Sequence, residues 1–484
     1  MKNIVKYKTH YRISDYRIGD YPKLERYFCV YNKVTHRYES LAIVYDKDNK
    51  ELRFPSGANE YAIRSLSGAL IEYNYSYDEY DNISIRITKP PRNELQRDMV
   101  KFLIGEGEYV WNKNNSQLAC NAETGEGKTY AAISTMTYMR CRMLVIVNRK
   151  NIKANWISEI CKFTDIDKMR ILDVDSNIIH QIVEGELDPK QYHAFVVIHR
   201  TIQRVATTHG WNYITKFFKA IKIGLKVYDE ANMEFANSVF IDCFTNTYRT
   251  LYLTANMEKS AVEDNIVFQN CFKGVPKFDQ YQLGYTESKR HIIMIAILYD
   301  SKPSFEDQKM CTNGLYGFNP KSYSEYQINN DRYFFDVIRT SCEKFTVKNS
   351  MRTLILVSKI KACSIVAEYI QKEFPEINVG IYNSSISKKD KEKVLKECNL
   401  IISTIQSLGF SETIDELRFV LNCEAFRFKA TGNQASGRLR RLLTGDDCYY
   451  AEIVDDGFSS IRSQFRARVR YYKKLFKEII KVEL

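Results

Sequence analysis

The chain has 484 residues, 44% of them hydrophobic, and a formal net charge of +12 at pH 7. This apolar content is enough for buried cores in about three domains and excludes a globally disordered chain. The excess of positive charge suits a polyanionic partner such as nucleic acid, although a basic protein with no such partner has the same charge.

Residues 1–88 are predicted to form a small mixed α+β domain. Two β-rich runs flank the polar residues 46–49, which is typical of a hairpin, and residues 59–73 predict a short helix followed by a strand. The segment NISIRI at 82–87 alternates with period two and predicts another strand. Lysine, arginine and tyrosine alternate near the N-terminus, so this domain is a candidate DNA-binding accessory domain, with an ordinary solvated sheet face as the alternative.

The pair Pro90-Pro91 interrupts regular structure and predicts a domain boundary after residue 88. A helical pattern follows, with Gln96 near its start. Its amide offers both a donor and an acceptor, which suits the edge of an adenine, although most surface glutamines are simply solvated.

Residues 116–133 have the order strand, glycine-rich turn, helix that is typical of a phosphate loop. The turn consists of Thr124, Gly125, Glu126 and Gly127. Its backbone N–H groups and the helix N-terminus can surround a phosphate chain. Lys128 can then reach the β- and γ-phosphates, and the Thr129 hydroxyl can bind Mg²⁺. Ala122 stands where the general pattern begins with glycine, so the motif alone leaves open a plain strand-to-helix turn.

Further strands then alternate with helices, which predicts a parallel α/β sheet with its functional loops at the carboxyl ends of the strands. One strand is followed by Asn148 and Arg149, the next precedes Thr201, and a later one ends in Thr254. Another strand ends in Asp229-Glu230. After a phosphate loop, Asp229 is expected to hold Mg²⁺ and Glu230 to orient and deprotonate the attacking water.

A second α/β pattern starts at residue 352 and has no strong phosphate-loop match. One of its strands ends in Thr404, with Gly409 beyond it. Near its end, Gln434, Arg438 and Arg441 lie in the run GNQASGRLRR, where an arginine could reach a transferring phosphoryl group as an arginine finger. The tail, residues 461–484, is predicted to be a basic amphipathic helix that packs on this domain, with a DNA contact as the less expected role.

In this order, the motifs resemble those of superfamily 2 helicases and translocases, the DEAD/DEAH-like group. PRNELQ resembles the adenine-reading glutamine motif, AETGEGKT the phosphate-binding motif, and DEAN the metal- and water-binding motif. VIVNRK and VVIHRTIQR resemble strand-tracking motifs, LTAN and ISTIQSLGF resemble coupling motifs, and QASGRLRR resembles the arginine motif. Asn232 and Ser411 depart from the usual residues, which bears on coupling and strand contact rather than on ATP binding.

The resemblance covers roughly residues 90–460 and implies two tandem RecA-like parallel-sheet domains with ATP and Mg²⁺ between them. The implied domains are an accessory domain (1–88), an ATP-binding motor domain (89–280), a second motor domain with the arginine finger (281–460) and the C-terminal helix (461–484). Roles in nucleic-acid contact or coupling are implied for six residues: Asn148, Arg149, Thr201, Thr254, Thr404 and Gly409. Within the superfamily, the small first domain and bare motor are most similar to bacteriophage helicases that remodel branched DNA.

We therefore expect an ATP-dependent helicase or translocase that unwinds or remodels forked and branched DNA as a monomer. Three alternatives remain: a translocase that follows duplex DNA without separating strands, an RNA helicase, and a non-catalytic ATP-gated binding module.

Cysteine spacing and hydropathy predict the compartment. Twelve cysteines are scattered singly without metal-ligand spacing, which indicates reduced, mostly buried thiols rather than a zinc or iron–sulfur site. The N-terminus lacks the apolar core of a signal peptide, and no apolar run approaches the ~18–20 residues that span a bilayer. We expect a cytoplasmic protein without a membrane partner, in the host cytoplasm if the protein is viral.

Overall fold

A computed structural model provides the structure of the chain. It describes residues 3–32, 35–47, 49–255, 257–259, 262–280, 282–285, 291–313, 317–408, 414–425, 432, 435–439, 442 and 444–484. The chain divides into two compact units, Met1–Leu283 and Gly284–Leu484.

The first unit begins with a small mixed sheet and two short helices. The strands are β1 (Ile4–Lys6), β2 (His10–Ile13), β3 (Cys29–Asn32), β4 (Arg37–Ser40), β5 (Val44–Asp46), β6 (Glu51–Pro55) and β7 (Ile71–Tyr73), and the helices are α1 (Pro22–Tyr27) and α2 (Glu60–Ser67). Five strands form a sheet in the order β5-β6-β2-β1-β7, and β3 pairs with β4 in a separate ribbon. The predicted hairpin is confirmed as β5 and β6, and the predicted helix and strand at 59–73 are α2 and β7.

The strand predicted at 82–87 is wrong. This segment makes only two isolated bridges, Asn82 to Cys141 and Ile87 to Thr164. The backbone N–H of Ile83 donates to the carbonyl oxygen of Arg140, and that of Thr88 donates to the carbonyl oxygen of Phe163. Both acceptors lie at the ends of helices and not in a strand. Of the three isoleucines in the alternating pattern, Ile85 is buried, Ile83 is half-buried and Ile87 is exposed, so the segment does not bury one face as a strand of a sheet does.

The rest of the first unit is a seven-stranded parallel sheet. Its strands are β8 (Gln117–Asn121), β9 (Met143–Val147), β10 (Ile171–Val174), β11 (Ala194–Ile198), β12 (Leu225–Asp229), β13 (Arg249–Thr254) and β14 (Lys277–Asp279). The helices are α3 (Glu94–Ile104), α4 (Lys128–Met139), α5 (Lys150–Phe163), α6 (Ser176–Val183), α7 (His199–His209), α8 (Trp211–Ile221), α9 (Phe235–Cys243) and α10 (Val262–Phe272). The strand order is β10-β11-β9-β12-β13-β8-β14. Every residue of β8 and β9 is buried, as expected for strands covered on both faces.

The mixed sheet and the parallel sheet of the first unit share one hydrophobic core. Tyr11 and Phe54 of the mixed sheet belong to the same buried cluster as Phe235 and Val239 of α9. Beneath them, Lys226 and Asp242 form an ion pair of 2.6 Å with side chains that are 0% and 1% exposed. The N-terminal mixed sheet therefore packs directly on the parallel sheet.

The second unit contains a second seven-stranded parallel sheet and a small ribbon. The strands are β15 (Ile292–Tyr299), β16 (Thr312–Asn313), β17 (Gly317–Phe318), β18 (Arg352–Leu356), β19 (Val379–Tyr382), β20 (Leu400–Ser403), β21 (Leu417–Asn422), β22 (Cys448–Asp455) and β23 (Glu478–Glu483). The helices are α11 (Phe305–Met310), α12 (Pro320–Asn329), α13 (Phe334–Ser341), α14 (Ile360–Glu373), α15 (Lys388–Glu397), α16 (Ile405–Leu408) and α17 (Ser459–Leu475). The sheet order is β19-β20-β18-β21-β22-β15-β23.

Two parallel sheets and a small mixed sheet confirm the predicted fold class of two tandem RecA-like domains with a small mixed α+β N-terminal part. In the portions of both units that the structure describes, no helix is both long and apolar enough to cross a membrane.

The tail is only partly the predicted helix. Residues 459–475 form α17, which is amphipathic as predicted, since Ile461, Phe465 and Tyr472 are buried. The remainder of the prediction is wrong, because Glu478–Glu483 form β23, which pairs in parallel with β15. The open edge of β15 offers backbone hydrogen bonds to a β-branched run, and these outweigh a continued helical period.

Candidate nucleotide-binding site

The turn between β8 and α4 has the backbone shape of a phosphate loop. Gly125 and Gly127 have φ values of +89° and +98°, in the left-handed region that favours glycine. Gly127 is the N-cap of α4, so the first N–H groups of that helix have no partner within it. A Cβ atom on Gly127 would overlap the amide of Gln96, so no other residue fits this position without a shift.

Lys128 lies inside the loop rather than on its surface. Its Nζ donates to the carbonyl oxygens of Ala122, at 2.6 Å, and Glu123, at 3.0 Å. The side chain is buried, and Thr129 beside it is half-buried. An ammonium group and the free N–H groups of a helix N-terminus thus lie together, which fits the donor set that a chain of phosphates requires.

Neighbouring strands hold the start of the loop in place. The Ala122 N–H donates to the carbonyl oxygen of Thr254, the last residue of β13, at 3.1 Å. The Glu123 N–H donates to Oε1 of Gln280 at 2.8 Å, and Gln280 is fully buried just after β14. Gln280 was missed by sequence reasoning, because a lone glutamine after a short strand carries no local signal.

Gln96 contacts the loop directly. It lies in the first turn of α3, is buried, and accepts the backbone N–H of Arg92 at its Oε1, 2.9 Å away. The Arg92 guanidinium donates to the carbonyl oxygen of Gly125 and lies 3.6 Å from Glu126. The structure therefore brings Gln96 to the loop, while its adenine-reading role stays a prediction.

Asp229 ends β12 with both carboxylate oxygens bonded. Oδ2 accepts the indole Nε1–H of Trp156 at 2.8 Å, and Oδ1 accepts the backbone N–H of Glu230 at 3.1 Å. Desolvation raises the pKa of Asp229 above its usual value, and the Trp156 bond and the Lys128 charge offset part of that rise. Sequence reasoning missed Trp156, which lies in the middle of α5.

Glu230 has a left-handed φ of +50°, which is strained for a residue with a side chain. The next residue, Ala231, donates its N–H to the carbonyl oxygen of Leu253 at 2.9 Å. This bond holds the strained turn against β13. The Lys128 ammonium is near enough to Asp229 to lower the pKa of that carboxyl, so the phosphate loop and the end of β12 lie near each other.

The remaining predicted residues of the first unit lie at the same edge of the sheet. Asn148 follows β9 and its amide contacts the Met233 sulfur at 3.3 Å. Arg149 is the N-cap of α5, where burial lowers the pKa of its guanidinium. Thr201 lies in the first turn of α7, and Thr254 is fully buried.

In the second unit, Thr404 follows β20 and caps α16, since its Oγ1 accepts the Ser407 N–H at 3.0 Å. Arg438 is half-buried in a turn. Gly409, Ser411, Gln434 and Arg441 lie outside the described residues, so their predicted roles stay predictions.

Comparisons with known proteins agree with this geometry. Residues 85–259 match the family described as Type III restriction enzyme, res subunit. The chain is 25% identical over 395 residues to protein 161L of Invertebrate iridescent virus 6, a helicase by its name, covering 78% of this chain and 80% of the relative.

Solved structures share the fold at low identity. Dbp5 of S. cerevisiae bound to RNA and ADP BeF3 has a TM-score of 0.53 and 15% identity, covering 82% of this chain and 90% of that chain. The ATP-dependent Type ISP restriction-modification enzyme LlaBIII bound to DNA has a TM-score of 0.56 and 14% identity, covering 82% of this chain and 32% of that chain.

Proposed function

We propose that this chain is an ATP-hydrolysing enzyme of the superfamily 2 helicase type, and that it is a DNA motor that unwinds or remodels forked and branched DNA. The choice of DNA is supported by the match to a restriction-enzyme subunit family. The net charge of +12 suits nucleic acid of either kind. The proposal includes that the chain is similar to bacteriophage helicases that remodel branched DNA. It also includes that the chain acts as a monomer.

The observation that carries the proposal is the pairing of the Lys128 loop with Asp229 at one edge of a parallel sheet. In this assignment the loop N–H groups and Lys128 bind the phosphates of ATP. Mg²⁺ would be held by the Thr129 hydroxyl and Asp229, and it would neutralise charge on the phosphates. Glu230 orients the attacking water and accepts its proton.

We assign the domains as 1–88 (accessory), 89–280 (first motor domain), 281–460 (second motor domain) and 461–484 (tail). The second motor domain would supply Arg438 to stabilise charge on the transferring phosphoryl group, together with Gln434 and Arg441. Gln96 would read the adenine ring.

Movement along the strand requires the ATP site to be coupled to the DNA. We assign this coupling to Thr254, whose carbonyl oxygen holds the phosphate loop, and in the second motor domain to Thr404 and Gly409. Asn148, Arg149 and Thr201 would contact the DNA strand. ATP-driven closing and opening of the motor would then advance the protein along its track.

The same ATP site and fold would also suit two other enzymes that act on different nucleic acids. A double-strand translocase would hydrolyse ATP on duplex DNA without separating strands. The second is an RNA helicase, which is an alternative because Dbp5, a structure bound to RNA, has the same fold at 15% identity.

The test is the steady-state ATPase rate with no nucleic acid and with single-stranded DNA, duplex DNA, a fork, a four-way junction and single-stranded RNA. We expect strong stimulation by the fork and junction, and loss of ATPase activity in Lys128→Ala with an unchanged far-UV circular dichroism spectrum. Lys113→Ala, an exposed lysine outside the loop, serves as the matched control. Stimulation by duplex DNA alone would support the translocase, and stimulation by RNA alone would support the RNA helicase. Retained turnover in Lys128→Ala would refute the site assignment.

A further inference from the structure

Helix α17 presents a row of arginines on its outward face. Arg462, Arg466 and Arg470 are spaced four residues apart and are all exposed, and we call this row the arginine ladder. Residues at this spacing lie above one another on one face of a helix. None of the 17 residues of α17 is acidic. Among the residues that the structure describes, none forms an ion pair with these three guanidinium groups.

The opposite face of α17 fixes the direction in which the ladder points. Arg468 is buried and donates through Nη2 to Oε2 of Glu452 on β22 at 3.0 Å. Tyr472 donates to Oε1 of the same carboxylate at 2.6 Å. One charged arginine of the helix is therefore used for docking, and the ladder is turned away from the sheet.

The ladder opposes the stability of its own helix. Like charges four residues apart repel each other, and Arg462 also lies near the N-terminus, where the helix dipole disfavours a cation. Another exposed helix of this unit shows the ordinary arrangement: in α15, lysines alternate with acidic residues, and Lys393 lies 4.0 Å from Glu397. An uncompensated row therefore indicates a partner that supplies the negative charge.

We propose that the arginine ladder binds the phosphate backbone of the nucleic acid on which the motor acts. At a rise of about 1.5 Å per residue, neighbouring ladder arginines are about 6 Å apart along the helix, and the row is about 12 Å long. One strand of a duplex advances about 3.4 Å per phosphate, so the row spans roughly three to four phosphates. Arginine pairs with phosphate through two parallel hydrogen bonds, and such contacts are independent of base sequence, as a moving protein requires.

This assignment rests on the proposed function, and the salt dependence of binding tests it. The triple variant Arg462→Gln, Arg466→Gln, Arg470→Gln is compared with the wild type by fluorescence anisotropy of a labelled single strand and a labelled fork at several salt concentrations. The matched control is Lys389→Gln, Lys393→Gln, Lys396→Gln, which removes three exposed positive charges from α15 of the same unit.

We expect the slope of log K against log salt to become shallower by about 2 to 3 in the ladder variant, since each lost phosphate contact contributes about 0.7 to 0.9. The control should keep the wild-type slope. Arg466→Gln alone should reduce the slope by about 0.7 to 0.9, which keeps the test decisive if the triple variant misfolds. The melting temperature of the triple variant should equal or exceed that of the wild type.

Equal slopes in the ladder variant and the wild type would overturn this inference while leaving the proposed function intact. A wild type that binds no nucleic acid would overturn both. Loss of binding to phosphatidylserine vesicles, with nucleic-acid slopes unchanged, would assign the ladder to an anionic lipid surface instead. A lower melting temperature in the triple variant would contradict the stability argument on which the inference depends.

Discussion

The hydrogen bond from Trp156 to Asp229 predicts that a residue remote in sequence controls ATP hydrolysis. Trp156→Phe keeps an aromatic ring in a buried position but removes the indole N–H, which lies 2.8 Å from Oδ2 of Asp229. A hydrogen bond to a charged group contributes about 1.5–3 kcal/mol, and about 1.4 kcal/mol corresponds to a tenfold change in rate. We therefore expect the ATPase kcat/KM to fall by roughly 10- to 100-fold.

The pH dependence of the same variant follows from the Asp229 pKa. Desolvation already raises this pKa, and the Trp156 bond lowers it by stabilising the ionised carboxylate. Without the bond the pKa rises further, so a lower proton concentration is needed to keep Asp229 ionised. The acid limb of the kcat/KM profile should shift to higher pH in Trp156→Phe, and the Mg²⁺ concentration required for half-maximal rate should rise.

The assay is steady-state ATPase activity across pH and Mg²⁺ concentration, with saturating DNA. Trp111→Phe is the control, since Trp111 is 61% exposed. An unchanged Mg²⁺ requirement and pH profile in Trp156→Phe would refute the view that Trp156 positions Asp229. If the ATPase rate of Trp156→Phe falls only in proportion to the fraction of protein that is unfolded at the assay temperature, Trp156 has a packing role alone.

Two further predictions concern the loop and the core. Gly127→Ala should abolish binding of a fluorescent ATP analogue, because the added methyl group would overlap the Gln96 amide and the φ of +98° disfavours alanine. The control is Gly185→Ala, which should bind the analogue normally, because Gly185 also has a positive φ but has open space around it. Asp242→Asn should reduce the free energy of unfolding by about 3–5 kcal/mol in urea denaturation, because it leaves the Lys226 ammonium buried without its charge partner. Asp336→Asn, at an exposed ion pair, should cost less than about 1 kcal/mol, and equal effects of the two would contradict the burial argument.

The backbone shape of the candidate phosphate loop was predictable because its signals are local. A buried strand, a turn with two glycines and a helix that begins with Lys128 lie within one short run of sequence, and backbone geometry alone brings them together. Asp229 was predictable for a similar reason, since the carboxyl ends of parallel strands meet at one edge of the sheet. The arginine of the second unit and the coupling residues rest on resemblance, and they stay predictions.

The hydrogen bonds of Trp156 and Gln280 could not be predicted, because their partners are far away in the sequence. Trp156 is 73 residues from Asp229, and Gln280 is 157 residues from Glu123. Neither belongs to a local motif, and each bond exists only because the sheet places separate elements side by side. The strand expected at 82–87 failed for the related reason that its hydrogen-bond partners were helix ends.

The sequence by itself determined the alternation of strands and helices, the phosphate loop and the acidic pair, because hydrophobic period and turn chemistry act within a few residues. Only the tertiary structure decided that the N-terminal mixed sheet shares a core with the first parallel sheet, that an indole donates to Asp229, and that the residues after α17 form β23. These outcomes depend on which surfaces and open strand edges meet after folding. Which surfaces meet cannot be read from a local segment, because its sequence pattern is the same whichever element it packs against.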